Sequence, residues 1–430
     1  MKTSFNCKLS LCVLLLCGTG YGQTDWTRFR GPNGTGISSA DSIPTEWTDN
    51  DYNWRVDLPG LGHSSPVVWK KRIFVTSADP ESAQLSILCF NVDDGRQLWR
   101  KDIESQTYGQ HASSSYADAT PAVDEHGVIV SWTTPESHHV LALDLMGNEK
   151  WRRNLGPFVG ANGSGVSPII VDDQVLISND QDDVRLLTRL TGKENPNAPV
   201  GKSSIIALDR ASGDIRWQLP RKTMLASYAT PCIRETESGS KELILTSTAQ
   251  GISGIDVVTG ELKWEVPGLF SDRCVASPIL VNDLVIGSYG AGVNGALCVA
   301  VRAGISGTAG PNTLAYEIKR AVPLVPSPLY HNDLLFLWAD NGIVSCVDGE
   351  TGHVHWRERV GGNFYSSPIG VDQHVYCVAR NGDVVVLSAS SDYQLISRIP
   401  LGQTTYATPA VSNGVLYLRS ESRLLSLGGH

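Results

Sequence analysis

Charged side chains are scarce in this sequence. Asp, Glu, Lys and Arg together make up 18% of the 430 residues, whereas 41% of the residues are hydrophobic. A chain with so little charge and so much apolar content is not an acidic disordered protein. The formal net charge of −9 also argues against a nucleic-acid partner, because phosphates bind surfaces rich in Lys and Arg.

Long apolar runs are missing after the first 22 residues. A membrane-spanning helix needs roughly 20 apolar residues, so we expect no transmembrane segment. Residues 1–22 have a different character. The basic residues Lys2 and Lys8 precede a short apolar stretch from Leu9 to Cys17, and the segment ends with the small residue Gly22. This order is typical of a secretory signal peptide and predicts export to the periplasm or the extracellular space.

Paired cysteine motifs are also missing. The chain has no C-x-x-C and no adjacent cysteines, which excludes the usual attachment motif for a c-type haem. Most cysteines after the signal peptide lie in apolar, strand-like runs, so we expect buried thiols, although one or two disulfides are not excluded. These residues are Cys89, Cys232, Cys274, Cys298, Cys346 and Cys377.

Glycine, proline and tryptophan are abundant, with 42, 22 and 11 residues, and many of them belong to a repeat. Each unit begins with Ser-Pro or Thr-Pro followed by an apolar run. The spacing of these starts, from 40 to 63 residues, leaves room for about four short strands in a unit. The eight starts are Ser65-Pro66, Thr120-Pro121, Ser167-Pro168, Thr230-Pro231, Ser277-Pro278, Ser327-Pro328, Ser367-Pro368 and Thr408-Pro409.

The end of the unit is an Asp/Gly turn followed by a tryptophan. The glycine precedes the tryptophan by four residues, as in ALDRASGDIRW, where Gly213 precedes Trp217. The pattern predicts a hairpin turn whose next strand carries a tryptophan wedge between neighbouring units. Two units depart from it, with Tyr316 in the fifth and Ile396 in the seventh. The repeated tryptophans are Trp99, Trp151, Trp217, Trp264 and Trp356.

Eight four-stranded units predict an all-β fold, an eight-bladed β-propeller with antiparallel blades. After Pro409 the chain has room for only three strands, and the missing strand is found before the first unit, at Tyr52–Asp57. We therefore expect this N-terminal strand to close the ring in the last blade, with Trp54 at the tryptophan position. The predicted organisation is a signal peptide (1–22), an N-terminal extension (23–49) and one propeller domain (50–430).

The repeat resembles that of the pyrroloquinoline-quinone (PQQ) enzymes, whose units carry the core ALDxxTGxxxW. The opening segment from Trp26 to Ile37, WTRFRGPNGTGI, and the stretch HASSSYADATP that begins at His111 are similar to secreted PQQ-like propellers of planctomycetes. The resemblance covers essentially the whole mature chain. It implies the propeller fold, whereas family members differ in activity.

Catalytic chemistry has little support in the sequence. Quinoprotein dehydrogenases of the family need PQQ, an Asp base and Ca²⁺ held by carboxylate and amide oxygens, and no such set is recognisable here. Turns beginning at Asp340 and Arg380 are similar to quinoprotein motifs, but tight turns explain them. His138 and His139 are interpreted as exposed loop residues. We therefore expect no catalytic residue, no metal site and no cofactor, with PQQ and calcium as a lesser alternative; cofactor-binding residues are unknown.

A ligand surface is easier to predict. Loops that enter the first strand of each blade, together with loops between second and third strands, reach the same face of a propeller. The longest of the latter, residues 181–202, is predicted to be a solvated flap there. The candidate ligand-face residues on the entry loops are His63, His111, Tyr116, Asn162, Tyr228, Arg273, Tyr365 and Tyr406.

The sequence thus favours a non-catalytic, exported and monomeric propeller that binds a protein, a peptide or a polar ligand at the channel mouth. One alternative is a PQQ- and calcium-dependent dehydrogenase. Another is an outer-membrane protein assembly factor, implied by the lipoprotein of that machinery that shares the repeat. The residues before the signal-peptide cysteines, such as Leu16 before Cys17, do not fit a lipid-modification site.

Overall fold

The structure is a computed structural model, and it describes residues 25–190, 192–291, 295–304, 307–310 and 313–429. The predicted signal peptide lies outside these residues. The helical elements with bounds inside these residues include a one-turn 3₁₀ helix (Pro32–Gly34) and a short α-helix, α1 (Val184–Leu190). No helix of the described chain is long and apolar enough to cross a membrane.

Eight antiparallel sheets follow one another along the chain, and each contains four strands of one blade. The predicted fold is confirmed. Two short strands add to blade edges in parallel: one from the N-terminal extension on blade seven, and one from the Gly-rich insert of blade five on blade four.

The strands are numbered in chain order. The extension and closing strand are β1 (Ile37–Ser38) and β2 (Tyr52–Asp57). Blades one to four comprise β3 (Val67–Trp69), β4 (Arg72–Ala78), β5 (Leu85–Asn91), β6 (Gln97–Ile103); β7 (Ala122–Asp124), β8 (Gly127–Thr133), β9 (His138–Leu143), β10 (Glu149–Asn154); β11 (Ile169–Val171), β12 (Gln174–Asn179), β13 (Ser204–Asp209), β14 (Ile215–Pro220); β15 (Cys232–Glu235), β16 (Lys241–Ser247), β17 (Gly251–Asp256), β18 (Leu262–Val266).

The remaining blades follow the same order. Blades five to eight comprise β19 (Ile279–Val281), β20 (Leu284–Ala291), β21 (Gly295–Arg302), the added strand β22 (Gly307–Thr308), β23 (Leu314–Ile318); β24 (Leu329–His331), β25 (Leu334–Trp338), β26 (Ile343–Asp348), β27 (Val354–Arg359); β28 (Ile369–Val371), β29 (His374–Val378), β30 (Asp383–Ser388), β31 (Leu395–Pro400); β32 (Ala410–Ser412), β33 (Val415–Arg419), β34 (Arg423–Gly428).

Middle strands are buried on both faces, since a neighbouring blade covers each side. All seven residues of β8 are buried, whereas the outermost strand β10 of the same blade buries Trp151 among exposed or half-buried neighbours. The core is therefore a series of apolar seams between blades, and the outer strands carry the polar rim.

The predicted tryptophan wedges are confirmed. The indole N–H of Trp54 donates to the carbonyl of Val92 in the next blade, at 2.8 Å. A Cβ on Gly95 would lie 2.7 Å from the same indole, so the turn glycine leaves room for the ring. Equivalent bonds join Trp99 to Leu145, Trp151 to Arg210, Trp217 to Val257 and Trp356 to Ser390, and the Tyr316 hydroxyl to Gly349. Trp264 differs, because its indole donates to Glu242 of its own blade.

In blade seven the predicted position is shifted by one residue. The turn before β31 is one residue longer than that of blades one, three, four and six, so Ser397, not Ile396, lies opposite Val386, where the other blades carry their aromatic residue. The Ser397 hydroxyl donates to the carbonyl of Thr45 in the N-terminal extension. The extension therefore covers the seam at the blade that lacks an aromatic wedge.

The predicted ring closure is also confirmed. Strand β2 pairs antiparallel with β34, and Trp54 lies opposite Ser426. The first strand of the propeller is thus the outermost strand of the last blade, and the ring leaves no open seam between the two ends of the domain.

The Ser/Thr-Pro pairs have a role that the repeat by itself does not reveal. The N–H of Ser65 donates to the Thr120 hydroxyl of the next blade at 2.9 Å. The N–H of Thr408 in the last blade donates to the Ser65 hydroxyl at 3.0 Å, which completes the circle. Among the described residues, seven of the eight blade junctions carry this bond. We call these eight Ser and Thr residues the hydroxyl ring.

The N-terminal extension crosses the end of the channel opposite the entry loops. Trp26 exchanges backbone hydrogen bonds with Val68 of blade one, and Asn33 bonds with Ile233 of blade four. Strand β1 then pairs with β28 of blade seven. We call residues 26–38 the plug, because this segment contacts blades on opposite sides of the ring.

The cysteines and the two adjacent histidines complete the comparison with the sequence predictions. The six cysteines of the described chain are buried and free, as expected. Burial raises the pKa of Cys298 to about 12, which keeps the thiol protonated. The loop prediction for His138 and His139 is wrong. Both lie in β9, where His138 is fully buried and His139 is half-buried.

Candidate functional site

A funnel-shaped cavity of about 380 Å³ opens among the entry loops at the channel mouth. The hydroxyl ring lines its wall, and Phe29 of the plug is at its base. Seven of the eight residues singled out from the sequence line this one cavity: His63, His111, Asn162, Tyr228, Arg273, Tyr365 and Tyr406.

Tyr116 is the exception, since it does not line the cavity. Its hydroxyl donates to the carbonyl of Tyr108 at 3.1 Å, and its ring meets Tyr108 edge-on with centroids 5.0 Å apart. Tyr116 therefore packs the long loop between blades one and two. In the sequence Tyr116 lies on a loop that enters the first strand of a blade, as the lining tyrosines do, so its position alone does not distinguish it from them.

One wall of the funnel holds a His–Asp pair. His63 Nδ1 lies 2.9 Å from Asp118 Oδ1, and the His63 ring packs on Tyr406 with centroids 4.1 Å apart. The same carboxylate accepts hydrogen bonds from the backbone N–H and the hydroxyl of Ser115. These contacts hold the imidazole in one orientation at the rim, where its edge is available to a ligand.

Beside this pair, two tyrosines enclose a cation. The Arg380 guanidinium lies 4.8 Å from the Tyr365 ring centroid and 5.1 Å from that of Tyr406, and it donates to the Tyr406 hydroxyl at 2.9 Å. Arg380 comes from the loop between the second and third strands of blade seven. The sequence indicates only a tight turn at Arg380, because no local sequence pattern shows that this turn lies above tyrosines from two other loops.

The opposite wall carries a second charged pair. Arg273 donates to both carboxylate oxygens of Asp182, at 2.6 and 3.0 Å, and its guanidinium lies 5.9 Å from the Tyr228 ring centroid. Burial is the largest cause of a raised pKa for Tyr228, which keeps the phenol neutral. Asp182 begins the 181–202 loop and is fully buried. The prediction of a solvated flap is therefore wrong for the start of this loop, which continues into helix α1.

The turn at Asp340 is structural. The half-buried carboxylate accepts the backbone N–H groups of Leu324 at 2.7 Å and Val325 at 3.2 Å, and both of these residues line the cavity. Desolvation raises the pKa of Asp340. This acid shapes the funnel wall and is not aimed at the space where a ligand would bind.

The donor groups at the funnel do not match a calcium-bound quinone. Within the described residues, no three His, Cys, Asp or Glu side chains are grouped so as to hold a metal ion. Asp118 and Asp182 already bind basic partners, whereas calcium requires several free oxygen ligands.

Comparisons with known proteins agree with this architecture. No curated protein matched the sequence significantly. BamB from Moraxella catarrhalis superposes with a TM-score of 0.60 at 15% identity, covering 87% of this chain and 96% of that one. The quinohemoprotein alcohol dehydrogenase ADHIIG from Pseudomonas putida HK5 gives a TM-score of 0.63 at 11% identity, covering 95% and 81%. At such identities these likenesses show the fold alone.

The family assignment comes from the sequence itself. The profile of the PQQ-repeat family described as outer membrane protein assembly factor BamB matches residues 50–203 and 317–422. The first matched stretch contains the closing strand β2, blades one and two and the first two strands of blade three. The second contains blades six and seven and the first two strands of blade eight. This chain belongs to that PQQ-repeat, BamB family.

Proposed function

We propose that this protein is a non-catalytic binding module whose funnel takes a segment of a protein, a peptide or a polar ligand. The observation that carries the proposal is the convergence of aromatic and polar side chains from several different entry loops on one cavity. Such a mixture, with a few oriented polar groups among rings, is typical of ligand sites. The family to which the chain belongs is described as an assembly factor, which agrees with a binding role.

The rigidity of the funnel supports the same function. The hydroxyl ring joins neighbouring blades, and the plug closes the far end, so a ligand enters from the mouth. Tyr365 and Tyr406 are held by Arg380, and rings fixed in this way provide contact area at little entropic cost. The module is proposed to act as an exported monomer, in the periplasm or the extracellular space.

A site-specific photo-crosslinker tests the proposal. A benzoyl-phenylalanine at position 365 should trap a partner from the native cell envelope, because this position faces the funnel. The same group at Tyr393, an exposed residue in the turn between β30 and β31 on the opposite face, is the matched control. We expect the adduct at 365 to be lost when Tyr406 is changed to Ala, and no equivalent adduct at 393.

Two outcomes would contradict the binding proposal. One is equal crosslinking at both faces, which would show that the funnel has no special affinity. The other is robust dye reduction with alcohols or sugars after PQQ and Ca²⁺ are added to the purified protein, which would make it a dehydrogenase.

A second candidate function is suggested by the family. Its description names the assembly of outer membrane proteins, and a binding propeller would serve there as a scaffold. Under this proposal, the partner crosslinked at position 365 is a component of an outer-membrane assembly complex, and deletion of the gene lowers outer membrane protein levels. Unchanged levels after deletion would leave only the general binding function.

A further inference from the structure

The two halves of the funnel lining differ in chemistry. Apart from the hydroxyl ring, the loops that enter blades one and two contribute polar side chains, whereas most of the apolar ones come from the loops that enter blades five and six, across the ring of eight blades. We propose that the funnel takes the side chain of one aromatic residue whose edge donates a hydrogen bond, a tyrosine or a tryptophan, presented by the binding partner. This inference deepens the proposed function and rests on it for the identity of the funnel as a binding site.

The apolar half consists of side chains that the protein leaves partly uncovered. Val275 lies on the loop that enters blade five, and Leu324 and Val325 lie on the loop that enters blade six. Phe29 of the plug adds an aromatic ring at the cavity base. All four are half-buried and line the same cavity, so a ligand there can cover them. Removal of apolar surface from water favours association, and a flat hydrocarbon ring covers such a surface well.

Arg273 lies two residues before Val275 and is already neutralised by its partners. Its guanidinium donates to both carboxylate oxygens of Asp182, and its Nη1 also donates to the carbonyl of Ala226 at 3.2 Å. This charge therefore has its counter-ion within the protein and does not require an acidic ligand.

The polar half presents a carboxylate oxygen that has no donor. Three donors converge on Asp118 Oδ1: the backbone N–H of Ser115 at 2.8 Å, the Ser115 hydroxyl at 2.6 Å and His63 Nδ1 at 2.9 Å. The second oxygen, Oδ2, has no hydrogen-bond partner among the described residues, and 25% of the Asp118 side chain is exposed. A ligand that donates a hydrogen bond can therefore use Oδ2.

His63 adds a second acceptor beside this carboxylate. A neutral imidazole that donates from Nδ1 to a carboxylate keeps Nε2 as an acceptor. In the part of the chain that the structure describes, Nε2 of His63 has no partner, and 12% of the side chain is exposed. The polar half thus favours a ligand group that donates over one that only accepts.

The two halves together define the ligand. The side chains of tyrosine and tryptophan have an apolar body and one O–H or N–H at the edge, so the body can cover the apolar half while the edge reaches the polar half. A phenylalanine side chain would leave the acceptors without a donor. A sugar would place hydroxyl groups against apolar side chains, where they lose water without gaining a partner.

The size and the closed end of the funnel suit a single side chain. The cavity of about 380 Å³ lies at the lower end of the range for small-ligand sites, roughly 300–1,000 Å³, which leaves no room for a folded segment. Because the plug closes the far end, the side chain enters from the mouth on a protruding loop or terminus of the partner. Aromatic residues that fill a pocket in this way carry much of the binding energy of many interfaces.

Blocked amino acids test the inference on the unmodified protein. In an NMR titration, N-acetyltyrosinamide should bind at least about tenfold more tightly than N-acetylphenylalaninamide, because only the phenol donates to the polar half. N-acetyl-O-methyltyrosinamide keeps the ring and the oxygen but has no O–H, so it should bind no more tightly than the phenylalanine probe. N-acetyltryptophanamide keeps a donor and should bind more tightly than the phenylalanine probe.

Several results would overturn the inference without any variant being made. Equal affinity for the tyrosine and phenylalanine probes would show that the polar half selects nothing. Tighter binding of N-acetyllysinamide would identify a site for a cation, and tighter binding of maltotriose would identify a site for a sugar. Absence of binding by all of these probes would also contradict an aromatic anchor.

Two variants separate the contributions of the two halves. Asp118→Asn should remove most of the preference for the tyrosine probe, because the free oxygen loses its charge. Val275→Thr, which has nearly the same shape, should weaken the tyrosine and phenylalanine probes alike, by about threefold, and leave the preference unchanged. Asp93→Asn, an exposed acid in the turn between β5 and β6, is the control and should change neither affinity.

An unchanged preference for tyrosine in a folded Asp118→Asn variant would contradict the role of the polar half. If that variant does not fold, the comparison of the probes on the unmodified protein still decides the question.

The result is separable from that of the binding proposal. A preference for the tyrosine probe without crosslinking at position 365 would leave an aromatic site in a protein whose partner-binding function has failed. Crosslinking at 365 without that preference would preserve the function and remove the aromatic anchor.

Discussion

Single residues in this propeller carry charge states that their sequence context does not disclose. His138 is fully buried in β9, and its Nδ1 lies 3.1 Å from the amide oxygen of Asn179. Its Nε2 has no protein partner, and desolvation lowers its pKa to about 4. The folded protein therefore holds this imidazole neutral, whereas the unfolded chain protonates it near pH 6.5.

This depressed pKa predicts a loss of stability in mild acid. The contribution of neutral His138 is fully present above pH 6.5 and is lost as the pH falls towards about 4, because only the unfolded state takes up the proton in that window. The cost is roughly 3 kcal/mol over the window. Urea unfolding of His138→Gln between pH 7 and 4 should show a flatter pH dependence than the unmodified protein.

His126→Gln is the matched control for that experiment, since His126 is exposed in the turn before β8. It should retain the pH dependence of the unmodified protein. If His126→Gln and His138→Gln respond alike to acid, the effect does not come from the buried imidazole.

At the scale of elements, the glycine turn before the outermost strand is fitted to the aromatic residue of the preceding blade. In the turn of blade three, Asp209 accepts the N–H groups of Ala211 and Ser212, both at 2.9 Å, as the predicted Asp/Gly turn requires. Gly213 follows with a φ of +74°, and a Cβ there would lie 2.5 Å from the Trp151 ring. The glycine is thus required by the turn and by the neighbouring indole together.

Replacing this glycine should reveal both requirements. Gly213→Ala should lower the free energy of unfolding by about 2–4 kcal/mol, from the left-handed backbone and from the clash with Trp151. Gly239→Ala isolates the backbone effect, because Gly239 has a φ of +80° and open space around its Cβ position. We expect it to cost about 1 kcal/mol in urea unfolding. An equal loss of unfolding free energy in the two variants would show that the Trp151 ring can move aside without loss of stability.

At the scale of the whole molecule, ring closure depends on one strand from the far end of the sequence. Trp54 of β2 is buried, packs near Tyr417 with ring centroids 6.2 Å apart, and reaches Val92 of blade one. It therefore links the last blade to the first. The plug crosses the same ring at its closed end, so two N-terminal segments hold the circle together.

Removing the closing wedge should weaken the whole ring. Trp54→Ala is expected to lower the free energy of unfolding by about 3–5 kcal/mol, since a large buried side chain is lost. Trp54→Phe keeps most of the apolar volume and loses the bond to Val92, so it should cost less. Calorimetry would show whether the ring unfolds in one transition. A Trp54→Ala variant as stable as the unmodified protein would contradict this closure.

Much of the fold was predictable because each blade repeats a local pattern. The Ser/Thr-Pro starts, the Asp/Gly turns and the tryptophans recur at regular spacing, and a strand missing at one end appeared at the other. The one-residue error at Ile396 arose because the turn before β31 is one residue longer than that of blades one, three, four and six, and no glycine marks the register there. Seven of the eight residues predicted from entry-loop positions line the cavity, but Tyr116 showed the same local signal and packs elsewhere.

The sequence by itself determined the blade count, the wedges and the closing strand, since these depend on short periodic patterns. Only the tertiary structure decided the hydroxyl ring, the plug and the partners of the plug's buried arginines. Arg28 meets a carbonyl 203 positions away, and Arg30 meets one 298 positions away. No local pattern specifies such partners, because they come together only when the ring has closed around the plug.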